Sequence, residues 1–402
     1  MNKIFTDFTF KPYTEIVFGR NTEAKAGELI KKYGGSKVLL VYGSGSIKKN
    51  GLYDRVVASL NGAGLPFAEL GGVHANPRRS LVEEGIKLAH AENADFFLAV
   101  GGGSTIDTAK GIAIAVANGD EYWSFYLNGT EPPVMAPVGT IHTIAAAGSE
   151  TSDSTVLVDD IGGTGLKKGL SGQFNRPQFA IFNPELTYTL PAYQTGAGSA
   201  DIFAHTYMRY LSNYSSYIGD KYGVATLRTV VKYAPVALAD PEDYEARAQL
   251  MLAGAFSHSG LTALGREDSH RGGEHQMEHQ LSGYYDTAHG AGLSVIMPAF
   301  LKYIVKHGTE DQVAKVAQLG IDVFGIETDT QDITGTALLT AERLTAWLKS
   351  IGMPVTLTEL GVPVAEIDDM IQRVVIDNGG LIDGFMDLDE AAIAEVYRIA
   401  AK

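Results

Sequence analysis

Short apolar segments alternate with helical segments over about the first 185 residues of this 402-residue chain, and this alternation constrains its fold more than any other feature. Four apolar runs are candidate strands: 38–42, 66–70, 96–100 and 134–143. Stretches with helical spacing lie between them, at 52–60, 80–91 and 105–117. Strands that alternate with helices favour βαβ units on a parallel sheet. We therefore predict an α/β domain over residues 1–185.

The second half of the chain has a different pattern. From residue 186 onward, apolar residues recur at helical spacing and strand-like alternation is rare. The predicted helices cover 199–213, 219–238, 243–263, 272–283, 292–306, 309–324, 335–351 and 386–401. Asn183 precedes a proline, and a residue in that position disfavours helical backbone, so a domain boundary is predicted there. We predict an all-helical domain over residues 186–402.

Charge and composition exclude several kinds of partner. The net charge of −15 argues against nucleic acid and anionic membranes, because phosphate binding needs a basic surface. The chain has no cysteine, which excludes disulfides and thiolate metal sites and suits a reducing cytoplasm. No apolar stretch reaches the ~18 residues of a membrane span. We expect a cytoplasmic protein.

A glycine-rich turn, Gly101-Gly102-Gly103-Ser104, joins the third predicted strand to the next helix. Glycines let a backbone approach a ligand closely, and a helix beginning here would point free N–H groups at an anion. The turn therefore predicts a diphosphate site, although Ile106 stands where the dinucleotide fingerprint has its third glycine. Ser104 and Asp107 have the spacing of a capping box, so Ser104 is predicted to cap the helix. A tight turn of any α/β protein explains the same glycines without a ligand.

The turn after the first strong strand bears on the kind of dinucleotide. Here Gly43-Ser44-Gly45-Ser46 replaces the acidic residue that usually binds the ribose hydroxyls of NAD. The small hydroxyls and the following Lys48 leave room and positive charge for a 2′-phosphate, which favours NADP over NAD. A solvated lysine at the start of a helix is the alternative explanation. The small-residue loop 143–152 is a weaker signal for contact with a nicotinamide or its ribose.

Carboxylate and imidazole groups in the second half have the spacing of metal ligands. Asp201 and His205 are four residues apart, so both lie on one face of a helix. His275 and His279 have the same spacing, and His289 follows at a predicted helix break. One carboxylate with imidazoles suits a divalent transition metal, which most often polarises an oxygen atom. Spacing alone leaves the last three histidines competing for two places.

The run His275-Gln-Met-Glu278-His279 also matches the HxxEH pattern, in which both histidines bind zinc and the glutamate is the general base. On that interpretation the protein is a metallopeptidase. It leaves Asp201, His205 and His289 without a role, together with the glycine-rich first half.

Several motifs, taken in order, resemble those of the iron-containing (group III) alcohol dehydrogenases, along essentially the whole chain. They are Gly101-Gly-Gly-Ser-x-x-Asp107-x-x-Lys110, Gly148-Ser-Glu150, Asn183-Pro-Glu-Leu-Thr187, Asp201-x-x-x-His205, and His275-x-x-x-His279 followed by His289-Gly290. The run from Tyr42 to Gly51 is most similar to the NADP-using butanol dehydrogenase and aldehyde reductase branch.

This resemblance implies a Rossmann-like nucleotide-binding domain and an all-helical metal-binding domain, in a dehydroquinate synthase-like architecture with the active site in the interdomain cleft. It implies hydride transfer between NADP(H), rather than NAD(H), and a small primary alcohol or aldehyde such as butanol or butanal. The implied metal is Fe²⁺ or Zn²⁺, and the implied assembly is a homodimer. Glycerol dehydrogenases of the same superfamily are a rival, although their ligand sets differ from Asp-His-His-His.

The resemblance also assigns individual residues. It implies that the metal ligands are Asp201, His205, His275 and His289. It implies that His279 lies close to the metal and relays a proton. It implies cofactor contacts from Gly43, Ser44, Ser46, Lys48, Asn76, Gly102, Gly103, Ser104, Asp107, Thr143, Ser149 and Lys168.

Some residues depart from the family pattern or fall outside it. Ala147 stands where the family often has threonine, which removes one hydroxyl contact to the cofactor, and Asn183 replaces a common aspartate. Three further histidines match no motif and are predicted to be structural or exposed: His142, His258 and His270.

Overall fold

The computed structural model describes residues 5–119, 121–162, 165–266, 272–327 and 332–402. The chain forms two compact units. The sheet unit comprises Lys11–Leu190 and Pro241–Ser259, and the helical unit comprises the residues up to Phe10, Pro191–Asp240 and Gly260–Lys402. The change at Leu190 lies close to the predicted boundary at residue 185, whereas nothing in the sequence marks the return of 241–259 to the sheet unit.

Regular elements cover most of the described residues. The strands are β1 (Glu15–Phe18), β2 (Val38–Gly43), β3 (Phe67–Val73), β4 (Phe96–Gly101), β5 (Val138–His142), β6 (Ser154–Asp159), β7 (Leu166–Ser171) and β8 (Phe179–Phe182). The α-helices of the first half are α1 (Ala26–Lys32), α2 (Ser46–Lys49), α3 (Leu52–Gly62), α4 (Arg79–Glu92), α5 (Gly103–Asn118) and α6 (Tyr122–Asn128). Those of the second half are α7 (Ala192–Tyr210), α8 (Tyr217–Ala239), α9 (Tyr244–Ser257), α10 (Gly273–Tyr285), α11 (His289–His307), α12 (Glu310–Phe324), α13 (Ile333–Ser350), α14 (Leu357–Leu360), α15 (Ile367–Asp377) and α16 (Glu390–Ala400). Among these described helices, none combines the length and apolar character that a membrane crossing needs.

One parallel sheet organises the sheet unit. Its strand order is β1-β8-β5-β4-β2-β3, and all neighbouring pairs are parallel. The chain adds β3 on one side of β2 and then β4 on the other side, so the order of strands reverses between β2 and β4. Parallel strands end at the same edge, and the pairs Tyr42–Val100 and Gly101–His142 bring the ends of β2, β4 and β5 side by side. Ligands of such folds bind outside the carboxyl ends of the strands at a reversal of this kind. The predicted parallel α/β domain and helical second half are confirmed.

Both faces of the sheet are buried. Leu39 of β2 packs with Ile112 of α5 on one face, whereas its neighbour Leu40 packs with Val56 of α3 on the other. Successive strand residues point to opposite faces, so a strand covered by helices on both sides is apolar throughout. This explains the uninterrupted apolar runs of the sequence.

Several described elements were absent from the sequence predictions. They include strand β8 within the parallel sheet, the antiparallel hairpin of β6 and β7, and helices α1, α6, α14 and α15. In the hairpin, Leu166–Ser171 contains two lysines and a glycine, so the strand period is weak there.

Helices α7 and α11 of the helical unit approach each other closely at a glycine. A Cβ atom at Gly290 would overlap the carbonyl oxygen of Ala197 and lie 3.1 Å from the Cβ of Asp201. The absence of a side chain at residue 290 therefore lets the start of α11 lie beside Asp201 on α7.

Candidate metal and nucleotide sites

Helix α7 presents a carboxylate and an imidazole on one buried face. Asp201 and His205 are 5% and 7% exposed, and their Oδ1 and Nε2 atoms are 3.3 Å apart. Burial lowers the pKa of His205 to about 4, which keeps its imidazole neutral near pH 7. A neutral imidazole has the lone pair that metal ligation requires.

Two further histidines reach the same point from other helices. His275 lies on α10, and His289 is the first residue of α11. The Nε2 atom of His289 is 3.8 Å from Asp201 Oδ1, and ligand atoms of His205, His275 and His289 all lie within 4.8 Å of one another. The structure therefore brings together all four residues that the family resemblance implies as metal ligands.

The donor set suits a divalent metal ion. His275 Nε2 is buried and has no hydrogen-bond partner among the residues that the structure describes, although its Nδ1 lies 3.2 Å from Glu274 Oε1. A buried nitrogen that faces two other imidazoles and a carboxylate requires either a cation or a donor. Three nitrogens and one carboxylate oxygen match the ligand preferences of Zn²⁺ and Fe²⁺.

His279 lies beside this cluster. Its ring centroid is 5.7 Å from that of His289, and ligand atoms of Glu278, His279 and His289 form a second close group. The Glu278 carboxylate accepts hydrogen bonds from His289 Nδ1 and from Ser282 Oγ. A glutamate engaged in this way, with no exposed surface, is poorly placed to activate water as the general base of an HxxEH peptidase.

The predicted nucleotide contacts lie on the turns at the carboxyl edge of the sheet. Gly43 ends β2, and Ser44 and Ser46 follow it. Residues Gly102–Ser104 follow β4, and Thr143 follows β5. The backbone N–H of Thr143 donates to the carbonyl of Gly101 at 3.1 Å. The adjacent register of these strands brings the turns together. Helix α5 begins at Gly103, so its free N–H groups point out of this edge.

The predicted capping of α5 by Ser104 is wrong. The N-cap residue is Gly102, and no side chain caps the helix. Packing requires glycine at positions 101 and 102, because a Cβ would overlap Thr105 at the first and Ile144 at the second. A Cβ on Gly103 would meet nothing within 4 Å. Of the three glycines, only Gly103 has open space where a side chain would stand.

Asp107 and Ser149, two predicted cofactor contacts, bind each other. Ser149 Oγ donates to Asp107 Oδ1 at 2.5 Å, and the backbone N–H of Val156 donates to Oδ2 at 3.1 Å. The buried Lys110 adds bonds to the carbonyls of Ser149 at 2.7 Å and Ser154 at 2.8 Å. Helix α5 therefore holds the loop 149–156 in place, and cofactor contact by Asp107 or Ser149 stays a prediction.

Asn76 is paired with Lys167, which is not among the predicted cofactor contacts. Lys167 Nζ donates to Asn76 Oδ1 at 3.3 Å, and both side chains are buried. Lys168, the predicted contact, is the next residue of β7, and adjacent strand residues point to opposite faces. The sequence carries no clear signal that separates the two lysines, because the strand period is weak along Leu166–Ser171.

Lys48 lies in a small polar and aromatic cluster beside the β2 turn. Its Nζ is 3.5 Å from Glu69 Oε2 and 4.9 and 4.5 Å from the ring centroids of Tyr42 and Tyr53. Burial acts to raise the pKa of Glu69, but the hydrogen bonds that its carboxylate accepts from Tyr53 and Tyr42 lower that pKa below its ordinary value. Glu69 therefore carries a negative charge that partly offsets that of Lys48.

The remaining histidines have different environments. His258, at the end of α9, donates from Nδ1 to the carbonyl of Ala147 at 3.1 Å and accepts at Nε2 from Ser154 Oγ at 3.2 Å. It thus connects α9 to the loop 147–154. His142 is buried against Phe182, with Nδ1 3.5 Å from Glu150 Oε2, and His270 lies outside the described residues.

Replacing His142 by leucine is expected to stabilise the protein in acid. Burial lowers the pKa of His142 to about 3, well below the ordinary value of 6.5, so the unfolded chain gains a proton first as the pH falls. Wild-type stability from this group is present above pH 6.5 and is lost progressively toward pH 3. We expect His142→Leu to gain about 2 kcal/mol relative to wild type between pH 8 and pH 5.

Urea unfolding at the two pH values measures this difference, and any change in packing cancels between them. Burial raises the pKa of the neighbouring Glu150 to about 8, which acts in the opposite direction, so Glu150→Gln serves as the control. If the free energies of unfolding of wild type and His142→Leu differ by the same amount at pH 8 and at pH 5, the prediction is wrong.

Both halves of the chain match one protein family. Residues 13–184 match the family described as iron-containing alcohol dehydrogenase, and residues 195–401 match the C-terminal part of the Fe-containing alcohol dehydrogenase family. The chain belongs to the iron-containing alcohol dehydrogenase family. The family and the enzyme class inferred from the motifs, an oxidoreductase of alcohols and aldehydes, are therefore confirmed.

Individual members of the iron-containing alcohol dehydrogenase family resemble the chain over nearly its full length. NADH-dependent butanol dehydrogenase A of Clostridium acetobutylicum is 36% identical, over 97% of this chain and 98% of its own. NADPH-dependent aldehyde reductase YqhD of Escherichia coli is 30% identical over 92% of each chain. The crystal structure of NADH-dependent butanol dehydrogenase A from Thermotoga maritima has a TM-score of 0.92 at 35% identity and 99% coverage of both chains. These relatives are named for both nicotinamide cofactors, so the predicted preference for NADP stays a prediction.

Proposed function

We propose that this protein is a metal-dependent oxidoreductase that transfers a hydride between NADP(H) and a small primary alcohol or aldehyde such as butanol or butanal. The observation that carries the proposal is the convergence of Asp201, His205, His275 and His289 from three helices on one point. Family membership supplies the reaction class, and the names of the relatives supply the substrate size.

The four side chains would hold one Fe²⁺ or Zn²⁺ ion. Such an ion acts as a Lewis acid on an alcohol or carbonyl oxygen, and the nicotinamide accepts or supplies the hydride. The protein contributes neutral imidazoles, a single ligating carboxylate and a buried setting that strengthens electrostatic interactions. His279, adjacent to His289, is proposed to move the alcohol proton, since an imidazole can both accept and donate a proton.

A spectrophotometric assay tests the function directly. The reduced-cofactor absorbance is followed with NADPH and butanal, first with the purified protein, then after chelation, and again after adding back Fe²⁺ or Zn²⁺. We expect activity to disappear on chelation and to return with the metal. Full activity in the chelated, metal-free protein would remove the metal from the proposal. Peptidase activity at the same site would favour the HxxEH alternative.

The proposed preference for NADP(H) rests on the turn after β2. No acidic side chain occupies positions 43–46, and Lys48 supplies a cation for a 2′-phosphate. The contact of Lys48 with Glu69 favours the competing choice, NAD(H), because it neutralises part of that charge. Kinetic constants for the two cofactors distinguish these choices.

Replacing Lys48 by alanine is expected to raise KM for NADPH by about fivefold to tenfold, the effect of losing about 1 kcal/mol from an exposed charged contact. KM for NADH should change by less than twofold, since it has no 2′-phosphate. Lys49→Ala, the adjacent exposed lysine, is the control. Equal changes for both cofactors, or a better kcat/KM with NADH in the wild type, contradict the preference.

Replacing His279 by alanine is expected to keep the metal and lower kcat by about tenfold, because water partly replaces a proton relay. Metal content and kcat are the measurements. Loss of the metal in His279→Ala would instead identify His279 as a ligand.

The homodimer expected from the family resemblance is also part of the proposal, and light scattering of the purified protein tests it.

A further inference from the structure

Two buried glutamates of α10 each directly precede one of its histidines. Glu274 stands before His275 and Glu278 before His279, and the two carboxylates are 1% and 0% exposed. Neither belongs to the proposed ligand set. Carboxylates are rarely buried to this extent unless they are paired and hydrogen-bonded.

Each glutamate contacts the Nδ1 atom of a different proposed ligand. Glu274 Oε1 lies 3.2 Å from Nδ1 of His275 on its own helix. Glu278 Oε2 accepts a hydrogen bond from Nδ1 of His289 on α11, and another from Ser282 Oγ at 3.2 Å. One glutamate therefore acts within α10, and the other acts across to α11.

Helix α11 leaves room for the Glu278 carboxylate. A Cβ atom at Gly292 would lie only 2.5 Å from Glu278 Oε1 and 2.7 Å from its Cγ. A side chain at position 292 would thus displace Glu278 from His289. The contact between the two helices is shaped around this carboxylate.

The Nδ1 contacts determine which nitrogen is available for a metal. A carboxylate on Nδ1 holds the proton there and leaves the lone pair on Nε2. For His289, Nε2 is the nitrogen that lies 3.8 Å from Asp201 Oδ1. For His275, Nε2 is the buried nitrogen that has no hydrogen-bond partner within the described ranges.

We propose that Glu278 and Glu274 are positioning residues that hold His289 and His275 with Nε2 toward the metal. This inference rests on the proposed metal site. Glu278 is the stronger case, because it links two helices and fixes the only ligand that α11 supplies among the proposed four.

Metal affinity tests the proposal without any measurement of activity. Zn²⁺ and Co²⁺ dissociation constants are measured on the metal-free protein by competition with a chromophoric chelator, for Glu278→Gln and Glu274→Gln. Outer carboxylates of this type contribute about 10- to 100-fold to metal affinity, so we expect losses of that size. Glu327→Gln, an exposed glutamate of the same unit, is the control and should bind as wild type does.

A second variant and a spectrum guard against a simple folding defect. Glu278→Asp keeps the charge but cannot reach His289, so it should also weaken binding, while circular dichroism of the metal-free protein stays unchanged. The visible Co²⁺ spectrum of Glu278→Gln at saturating metal should match that of wild type, because the ligands are the same.

Three outcomes separate the possibilities. Wild-type affinity in Glu278→Gln, with binding lost in His289→Ala, overturns the positioning role and leaves the metal site standing. An altered Co²⁺ spectrum in Glu278→Gln makes Glu278 a ligand and also overturns the proposal. Wild-type affinity in both His289→Ala and His275→Ala refutes the proposed metal site itself.

Discussion

His275→Ala is expected to lose the bound metal and to lower kcat/KM for alcohol oxidation by at least about a thousandfold. The substitution removes one of four ligands and leaves a buried space between His205 and His289, whose ring centroids lie 4.7 and 5.6 Å from that of His275. Polarisation of the substrate oxygen by a metal contributes several kcal/mol, and each 1.36 kcal/mol is about tenfold in rate. Metal analysis and kcat/KM on the same preparation measure both effects.

His307→Ala is the matched control for this experiment. His307 ends the helix that His289 begins. At its exposed position it pairs with the carboxylate of Glu395, and its ring lies 4.6 Å, centroid to centroid, from that of Tyr303. An exposed pair of this kind contributes at most about 1 kcal/mol to stability, so metal content and kcat/KM should be unchanged. If His275→Ala keeps a full equivalent of metal and wild-type kcat/KM, the ligand assignment is wrong.

Gly290→Ala is expected to lower the free energy of unfolding by about 3 kcal/mol and to weaken metal binding by at least about tenfold. The added methyl group would overlap the backbone carbonyl of Ala197, which cannot rotate away as a side chain can. Helix α11 must then shift from α7, and His289 moves with it relative to Asp201. Urea unfolding of the metal-free protein and a Co²⁺ titration measure the two effects separately.

Gly62→Ala provides the comparison for Gly290→Ala. Gly62 also lies in a helix, and a Cβ there would meet no atom within 4 Å. Alanine is the better helix former by about 1 kcal/mol, so this variant should be slightly more stable than wild type. A Gly290→Ala protein with wild-type stability and metal affinity would show that α7 and α11 are not closely packed at this point.

The sheet was predictable where local pattern and tertiary environment agree. Residues 38–42 and 96–100 are apolar throughout and are each followed by glycine, and a parallel strand covered on both faces has this pattern. The start of α5 was not predictable in the same way. Ser104 and Asp107 have capping-box spacing, yet Asp107 binds Ser149 and Val156, so contacts distant in sequence replaced the local bond.

The proposed metal ligands show the same limit. Helical spacing placed Asp201 and His205 on one face, because four residues make about one turn. Spacing along α10 could not separate His275 from His279, since both satisfy the same rule. The separation depends on where α11 brings His289, and that depends on a glycine against the Ala197 carbonyl. Glu278 was considered only as a base because its partner lies on another helix.

The order in which the chain leaves the ribosome has a consequence for its two units. The chain passes from one unit to the other after Phe10, Leu190, Asp240 and Ser259. The loop at Gly148 and Thr151 packs on Gly254 and Ala255 of α9, so the sheet unit stays incomplete until residue 259 has emerged. By then α7 and α8 have already been synthesised. Neither unit can finish folding before synthesis of the other has begun, and a nascent chain stopped at residue 190 would expose the surface that α9 later covers.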